Sequence, residues 1–189
     1  AYANILAVKE GNENSPKILA LKAALESRQV ASFIESKYSG SVVSTVTNPG
    51  NVTIKNSWLH DNFHFEKDPN WNHTPSHDDN IQVVGGSNIR VLDSVLEDSH
   101  NAAIMLAQDS SRVSNVEIAG NTIGGGACSI NLAPKSRGEM TAVKIAQNRF
   151  QKGTQRLANC AVIAPAANAP ALEANVWAGT TEPVRLSRG

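Results

Sequence analysis

A nine-residue pattern of alternating polar and apolar positions recurs along the chain. Each copy reads polar, apolar, polar, apolar, two variable positions, Ser or Asn, one variable position and a final apolar residue. The copies are residues 51–59, 88–96, 115–123 and 142–150, with a weaker fifth copy at 171–177. The first copy is separated from the second by 37 residues, and the later full copies follow at intervals of 27. The pattern predicts a repeat protein in which each unit contributes short strands.

A second alternating strand precedes each full copy after the first. These strands are predicted at residues 80–84, 103–107 and 129–133, with a further one at 161–164 and a less regular one at 41–46. Each unit would then hold two short strands separated by turns rich in Gly, Ser and Asn, without the two-residue turn signals of hairpins. We therefore predict an all-β parallel solenoid of about five coils over residues 42–189, with the inward side chains forming one continuous core.

The repeat register predicts which side chains stack from coil to coil. Ile81, Ile104, Ile130 and Val162 fall in one inward column. Asn121 and Asn148 fall in another, whose earlier positions are Ser57 and Ser94. Stacked Asn amides hydrogen-bond along such an axis and satisfy buried turn backbone.

The two cysteines of the chain, Cys128 and Cys160, also occupy equivalent positions in neighbouring coils. Parallel strands lie about 4.8 Å apart, and the Cα atoms of a disulfide lie about 4.4–6.8 Å apart. A disulfide bridge and a pair of buried thiols both fit this placement.

The stretch His77–Asn88, HDDNIQVVGGSN, resembles a segment of many secreted bacterial right-handed parallel β-helix proteins of the pectate-lyase-like superfamily. Asn80 stands where Gly is usual in that segment. The resemblance implies a right-handed parallel β-helix over residues 42–189 that lies outside the cell, on its surface or in the periplasm. It also implies action on an acidic polysaccharide, with a lyase as the reaction if the protein is an enzyme.

The first 41 residues follow a different pattern. Ser15 and Pro16 form a helix start signal, and Ile18, Leu21 and Leu25 follow at helical spacing. A strand is predicted before this helix, at residues 4–8, and the helix is predicted to continue to Tyr38. Residues 1–43 resemble the C-terminal end of methionine-binding lipoproteins of ABC transporters. We expect this segment to be either a cap on the solenoid or the remnant of a gene fusion.

Charge and hydropathy exclude several other functions. Lys and Arg number 17, as do Asp and Glu, so the formal net charge is zero. A nucleic-acid binder needs a positive field, and no apolar run is long enough to predict a transmembrane helix. We therefore expect no nucleic-acid partner and no transmembrane segment. The resemblance implies a polysaccharide partner, and we expect a monomer.

All five histidines fall in two adjacent coils, and carboxylates are interleaved with them. The histidines are His60, His64, His73, His77 and His100. Ten extra residues between Leu59 and Ile81 form an inserted loop in this region. An inserted loop on one coil commonly builds a binding face, and His with carboxylates can bind a metal or transfer protons. The alternative is that these polar residues only cap turns.

If the protein is a lyase, the resemblance assigns roles to particular residues. Lyases of this fold remove a proton α to a uronate carboxyl, so they need a cation beside that carboxylate and a nearby base. Asp78 and Asp79 are the candidate metal ligands, with Ca²⁺ as the expected ion. The remaining candidates are His77, His100 and Lys135 as the base, Arg137 as the neutralising charge, and Trp71, Asn80, Gln82 and Asn131 as substrate-binding residues.

Two other functions remain open at this stage. The expected outward face carries Asn, Gln and Ser in place of the Asp array of a pectate-lyase calcium site, which favours a non-catalytic glycan-binding or surface-binding module. Lys135 and Arg137 also fit a solvated turn. The transporter-like first segment is consistent with a fusion fragment that has no activity.

Overall fold

The computed structural model describes residues 15–25, 44–46, 50–69 and 72–189. The chain forms two compact units, Ala1–Val42 and Val43–Gly189. In the first unit, helix α1 (Pro16–Leu25) begins directly after Ser15, whose carbonyl oxygen accepts hydrogen bonds of 3.0 Å from the backbone N–H groups of Ile18 and Leu19. The predicted helix start is confirmed. The predicted strand at residues 4–8 and the predicted helix beyond Leu25 lie outside the described residues.

The second unit is a parallel β-solenoid in which each coil adds one strand to each of three sheets. The strands are β1 (Ser44–Val46), β2 (Gly50–Lys55) and β3 (Trp58–Leu59) in coil 1; β4 (Asp79–Val83), β5 (Gly86–Leu92) and β6 (Val95–Leu96) in coil 2; β7 (Ala102–Ala107), β8 (Val113–Ala119) and β9 (Thr122–Ile123) in coil 3; β10 (Ile130–Ala133), β11 (Thr141–Ala146) and β12 (Arg149–Phe150) in coil 4; β13 (Val162–Ala164), β14 (Ala171–Glu173) and β15 (Val176–Trp177) in coil 5; and the closing strand β16 (Leu186–Arg188).

The first sheet has the order β1-β4-β7-β10-β13-β16, and the other two sheets have five strands each. Strands pair in parallel with their counterparts one coil away, so the predicted solenoid of about five coils is confirmed. The prediction of two strands per coil was wrong, because a third, two-residue strand follows each bend. At this bend the residue before the Ser or Asn position adopts a positive φ, as at Asp93 (47°) and Gln147 (56°), and this turns the chain into the third sheet.

The predicted inward column is present. Ile104 lies between Ile81 and Ile130 in register, and Ile130 pairs with Val162. All four side chains are fully buried and belong to one continuous hydrophobic core. Identical spacing therefore places apolar residues at the same inward position in successive coils, as the repeat predicts.

The predicted Asn column is also present and is longer than predicted. The side chain of Asn148 accepts hydrogen bonds of 2.9 Å from both the backbone N–H and the Nδ2 of Asn121, and its own Nδ2 donates to Oδ1 of Asn175 at 2.9 Å. Earlier in the column, Asn121 Oδ1 accepts from the backbone N–H of Ser94, and Ser94 Oγ accepts from that of Ser57. Each buried turn is thus held by a side chain of the next coil.

A disulfide joins Cys128 and Cys160, whose Cα atoms are 4.7 Å apart. Of the two alternatives, the bridge is the one that the structure contains. It ties the loop before β10 to the loop before β13 and so links coils 4 and 5. Among the described residues, no helix is long and apolar enough to cross a membrane.

Candidate functional site

His64 and Asp78 form the centre of the candidate site. His64 lies in the inserted segment between β3 and β4, and Asp78 directly precedes β4. The Nδ1 atom of His64 is 2.8 Å from Oδ1 of Asp78, and Oδ2 of Asp78 accepts a 2.7 Å hydrogen bond from the backbone N–H of His100. Asp78 is only 4% exposed. One buried carboxylate therefore holds the inserted segment against the loop that precedes β7.

The His100 ring completes this cluster. Its centroid lies 3.6 Å from that of His64, and the two rings are nearly perpendicular, with an interplanar angle of 83°. Ser76 adds a hydroxyl that lies 3.2 Å from His64 Nδ1 and donates to Asp78 Oδ1 at 3.3 Å. Two imidazoles, a carboxylate and a hydroxyl thus meet within one small region.

Arg156 approaches the cluster from coil 4 across the short Gly124–Gly126 segment of coil 3. Its Nε donates a 2.9 Å hydrogen bond to the carbonyl oxygen of His100, and its backbone N–H donates to the carbonyl oxygen of Gly126 at 2.9 Å. A Cβ atom at Gly126 would lie 2.9 Å from Cα of Ala102, and the φ of Gly126 is +80°. The guanidinium of Arg156 therefore lies beside the backbone of His100.

Two open pockets adjoin at these residues. The larger, of about 400 Å³, is lined by His64, Glu66, His77, His100 and Arg156, among others. The second, of about 340 Å³, shares His64, His100 and Arg156 with the first. Ligand sites commonly have volumes of about 300–1,000 Å³, so each pocket can hold a small group, and together they form an elongated open surface.

Burial shifts the pKa values of two titratable groups in this region, His100 and Asp79, in opposite directions. Burial lowers the pKa of His100 below its usual value, and the positive charges of Arg156 and His64 lower it further, while Asp78 acts in the opposite direction. Burial raises the pKa of Asp79 to about 7, and the neighbouring Asp78 adds to the increase. The Asn101 side chain, which donates a 2.7 Å hydrogen bond to Asp79 Oδ1, limits it. Asp79 therefore accepts a proton near neutral pH.

The structure brings together three of the predicted site residues and places a fourth elsewhere. His77 and His100 line the larger pocket, and Asp78 lies beneath it. Asp79 has the same strand parity as Ile81, so it points into the solenoid and is fully buried. Among the described residues, its Oδ2 has no hydrogen-bond partner.

The outward positions of the first sheet differ from the prediction. Asn80 is fully buried, because its Nδ2 donates to the carbonyl oxygen of Glu97 at 3.0 Å and to Oδ1 of Asn62 at 3.3 Å, in segments that cover it. Asn80 therefore cannot contact a substrate, contrary to the substrate-binding role predicted for it. Gln82 and Asn131 are half-buried and lie in one outward column on either side of Met105. Trp71 lies outside the described residues.

Lys135 and Arg137 do not reach this site, contrary to their predicted roles as a base and as the neutralising charge. Lys135 pairs with Asp109, and Arg137 donates from Nε to the carbonyl oxygen of Gln108 at 2.6 Å. The six-residue strand β7 lies between His100 and Gln108. At about 3.3 Å per residue, this strand separates the two residues by roughly 20 Å or more. The two basic residues instead stabilise the turn that follows β7.

His64 was predicted to lie among the clustered histidines but had no predicted role, and Arg156 was not predicted at all. His64 precedes Asp78 by 14 residues within an insertion that has no counterpart in the other coils. Arg156 follows His100 by 56 residues. No periodic signal in the sequence marked either position.

In the part of the chain that the structure describes, two groups of side chains could hold a metal ion. His64, Asp78 and His100 form one, and His60, Asp61 and Asp98 form the other; within each group, the ligand atoms all lie within 4.8 Å of one another. Ca²⁺ takes six to eight oxygen ligands. The surroundings of Asp78 fit Ca²⁺ poorly, because its neighbours are imidazoles, its own oxygens accept hydrogen bonds, and Asp79 faces the core. Ca²⁺ on Asp78 and Asp79 stays a prediction.

Comparisons with known proteins give one short similarity. A 42-residue stretch is 52% identical to the methionine-binding lipoprotein MetQ of Bacillus subtilis (strain 168). The stretch is 22% of this chain, and the chain spans only 15% of that lipoprotein. No family model matches the chain, and no solved structure matches it. The fold class therefore comes from the structure itself, and the match is too short to assign a function.

Proposed function

We propose that the solenoid acts on an acidic polysaccharide, as a lyase, at the pocket lined by His77, His100 and Arg156. The observation that carries the proposal is that histidines and a guanidinium line one open pocket beside the inserted segment. An acidic sugar brings a carboxylate that needs a positive partner, and Arg156 supplies one whose position is fixed by the His100 carbonyl group. The adjoining pockets suit a chain of sugar units better than a single small molecule.

The chemistry is a β-elimination. His77 is the base that takes the proton from the carbon α to the uronate carboxyl. The electron pair of that C–H bond forms the new carbon–carbon double bond, and the glycosidic C–O bond at the β carbon breaks. The leaving alkoxide takes a proton from water. Arg156 stabilises the negative charge that develops on the carboxylate during proton removal.

The test is a screen for the ultraviolet absorbance of the unsaturated product, with polygalacturonate, alginate and glycosaminoglycans as substrates. We expect product with at least one of them, and at least 100-fold slower formation with His77→Ala or Arg156→Gln. His73→Ala and Arg149→Gln are the matched controls, because both residues are exposed and neither lines the pocket. Failure of the folded wild-type protein to form product would rule out the lyase.

A non-catalytic glycan-binding function is the second candidate, and Trp58 favours it. The Trp58 side chain is 59% exposed. Its ring stacks on His60 with centroids 3.9 Å apart, and its Nε1 donates to Glu97 Oε1 at 2.7 Å. A fixed, exposed aromatic face is a platform for a sugar ring. Glycan binding without product, abolished by Trp58→Ala, would support this candidate, and the absence of both binding and product would favour a fusion fragment without activity.

We place the protein outside the cytoplasm in this proposal, at the cell surface, in the periplasm or in the medium. Disulfides persist in oxidising compartments, and Cys128 and Cys160 are bridged. The short similarity to a lipoprotein agrees with this location. The proposal also takes the protein to be a monomer, which sedimentation analysis would test.

A further inference from the structure

We propose that His64, Asp78 and His100 form a binding site for a divalent first-row transition metal, with Zn²⁺ as the ion that these donors favour. The three side chains each offer one ligand atom, and these atoms lie within 4.8 Å of one another. Two imidazoles and one carboxylate form a common three-ligand set for Zn²⁺, and such sites leave a fourth position open. The site stands on this geometry and does not depend on the proposed lyase activity.

In the present structure a hydrogen bond between His64 and Asp78 occupies the place that a metal ion would take. His64 Nδ1 and Asp78 Oδ1 are 2.8 Å apart and share one hydrogen. Zinc–ligand bonds of about 2.0–2.2 Å in a tetrahedron separate neighbouring ligand atoms by roughly 3.4 Å. Opening this pair by about half an ångström would admit an ion in place of that hydrogen, and the ligand atom of His100 lies within 4.8 Å of the other two.

If Nδ1 of His64 binds the metal, its Nε2 carries the second N–H and needs an acceptor. Its Nε2 is buried, and among the described residues it has no hydrogen-bond partner. Glu66 Oε1 lies 3.7 Å away, which is too long for a hydrogen bond in the present arrangement. A metal-bound histidine usually donates its second N–H to a carboxylate. Because Glu66 is 83% exposed and free of packing constraints, it can close this gap.

Charge and access also suit a bound cation. Asp78 is a buried carboxylate and Glu66 adds a second negative charge, whereas Arg156 is the opposing positive charge on the same pocket. His64 and His100 line both open pockets. An ion from solvent can therefore reach the cluster through either pocket.

The second group, His60, Asp61 and Asp98, provides an internal comparison. His60 Nδ1 is 2.7 Å from Asp61 Oδ2, but Asp61 and Asp98 are exposed and the His60 ring is stacked on Trp58. Without a buried carboxylate to position its ligands, this group should bind a metal more weakly. Variants in it therefore test where a bound ion lies.

The experiment uses the full chain after treatment with a chelator and its removal. Calorimetric titration with ZnCl₂ should show one equivalent bound, and His64→Ala, Asp78→Asn and His100→Ala should each weaken binding at least tenfold. His60→Ala, Asp98→Asn and His77→Ala are the matched controls and should change the Kd less than threefold. CaCl₂ should bind at least tenfold more weakly than ZnCl₂. Co²⁺ in place of Zn²⁺ should give the visible absorption of a four-coordinate site.

A variant that fails to fold does not decide the question, so the wild-type protein supplies a second measurement. The imidazole NMR signals of His64 and His100 should shift on addition of one equivalent of Zn²⁺, while those of His73 stay in place. No Zn²⁺ binding, binding that His60→Ala weakens more than His64→Ala does, or Ca²⁺ binding as tight as Zn²⁺ binding would each overturn the proposal. A wild-type protein that forms lyase product but binds no Zn²⁺ would reject this metal site alone, and a wild-type protein that binds Zn²⁺ at these residues but forms no product would reject the lyase alone.

Discussion

The side chain of Asn121 donates a 2.9 Å hydrogen bond from Nδ2 to Oδ1 of Asn148, its counterpart one coil later in the chain. The same oxygen accepts a hydrogen bond from the backbone N–H of Asn121, and Nδ2 of Asn148 donates to the carbonyl oxygen of Ile118. The bends at Ser94, Asn121 and Asn148 therefore each depend on an amide from the following coil.

Asn148→Ala should destabilise the solenoid by about 2–4 kcal/mol, because it leaves several buried polar groups without partners. Urea denaturation followed by circular dichroism would measure the loss. Asn131→Ala, at a half-exposed strand position, is the control and should change stability by less than about 1 kcal/mol. Equal effects of the two substitutions would contradict a structural role for the column.

The disulfide should stabilise the solenoid by restricting the unfolded chain. A separation of 32 residues corresponds to about 3–4 kcal/mol in the chain-entropy model. The double variant Cys128→Ala/Cys160→Ala should therefore unfold at lower denaturant concentration, by an amount equal to the effect of a reducing agent on the wild-type protein. A reducing agent that also destabilised the double variant would show that its effect does not come from this bridge.

Asp79 should make stability depend on pH. Its pKa is raised from 3.8 to about 7 in the folded protein. Between these two values the folded protein holds a proton that the unfolded chain has lost, so the free energy of unfolding decreases as pH rises through this window. Three pH units correspond to about 4 kcal/mol at most.

Asp79→Asn should remove this pH dependence and stabilise the protein at pH 8, because the Asn oxygen still accepts the hydrogen bond from Asn101. The measurement is denaturant unfolding at pH 5 and pH 8 in the presence of chelator. Asp93→Asn is the control, since Asp93 is exposed and forms a surface ion pair with Lys55. A decrease in stability of Asp79→Asn at pH 8 would show that Asp79 is ionised when the protein is folded.

Lys135 and Arg137 should have no part in the proposed lyase reaction. The substitutions Lys135→Gln and Arg137→Gln should leave the rate of product formation within twofold of wild type, because both side chains are committed to the turn at Gln108 and Asp109. Arg137→Gln should lower stability by about 1 kcal/mol through the lost backbone contacts. A large loss of activity with unchanged stability would return these residues to the candidate site.

The periodic part of the fold was predictable because each inward position repeats with the coil. The inward column of Ile81, Ile104 and Ile130 follows from spacing alone, as does the closeness of Cys128 to Cys160, whereas spacing left open whether the two cysteines are bridged. The two-residue strands such as β9 were not predicted, since their single buried side chain carries no period of its own. The side chain of Asn80 points outward from the strand, as predicted. It is nevertheless buried, because segments outside the repeat, such as the one that contains Asn62, cover it.

The candidate site was only partly predictable for the same reason. His77 and His100 each precede an isoleucine of the inward column by four residues, Ile81 and Ile104 respectively. The repeat spacing therefore places the two histidines next to each other in neighbouring coils. His64 and Arg156 come from loops of different length, and their positions depend on hydrogen bonds to Asp78 and to the His100 carbonyl group. Periodicity carries no information about such contacts.

The bridge between Cys128 and Cys160 also has a consequence for how the solenoid opens. Coils that contact only their neighbours can lose structure one at a time from an end. Because the bridge links the loops before β10 and β13, fraying that begins at β16 meets a covalent tie after one coil. Amide hydrogen exchange should therefore separate a labile closing segment from the bridged coils, and the His64–Asp78 region lies on the protected side of that boundary.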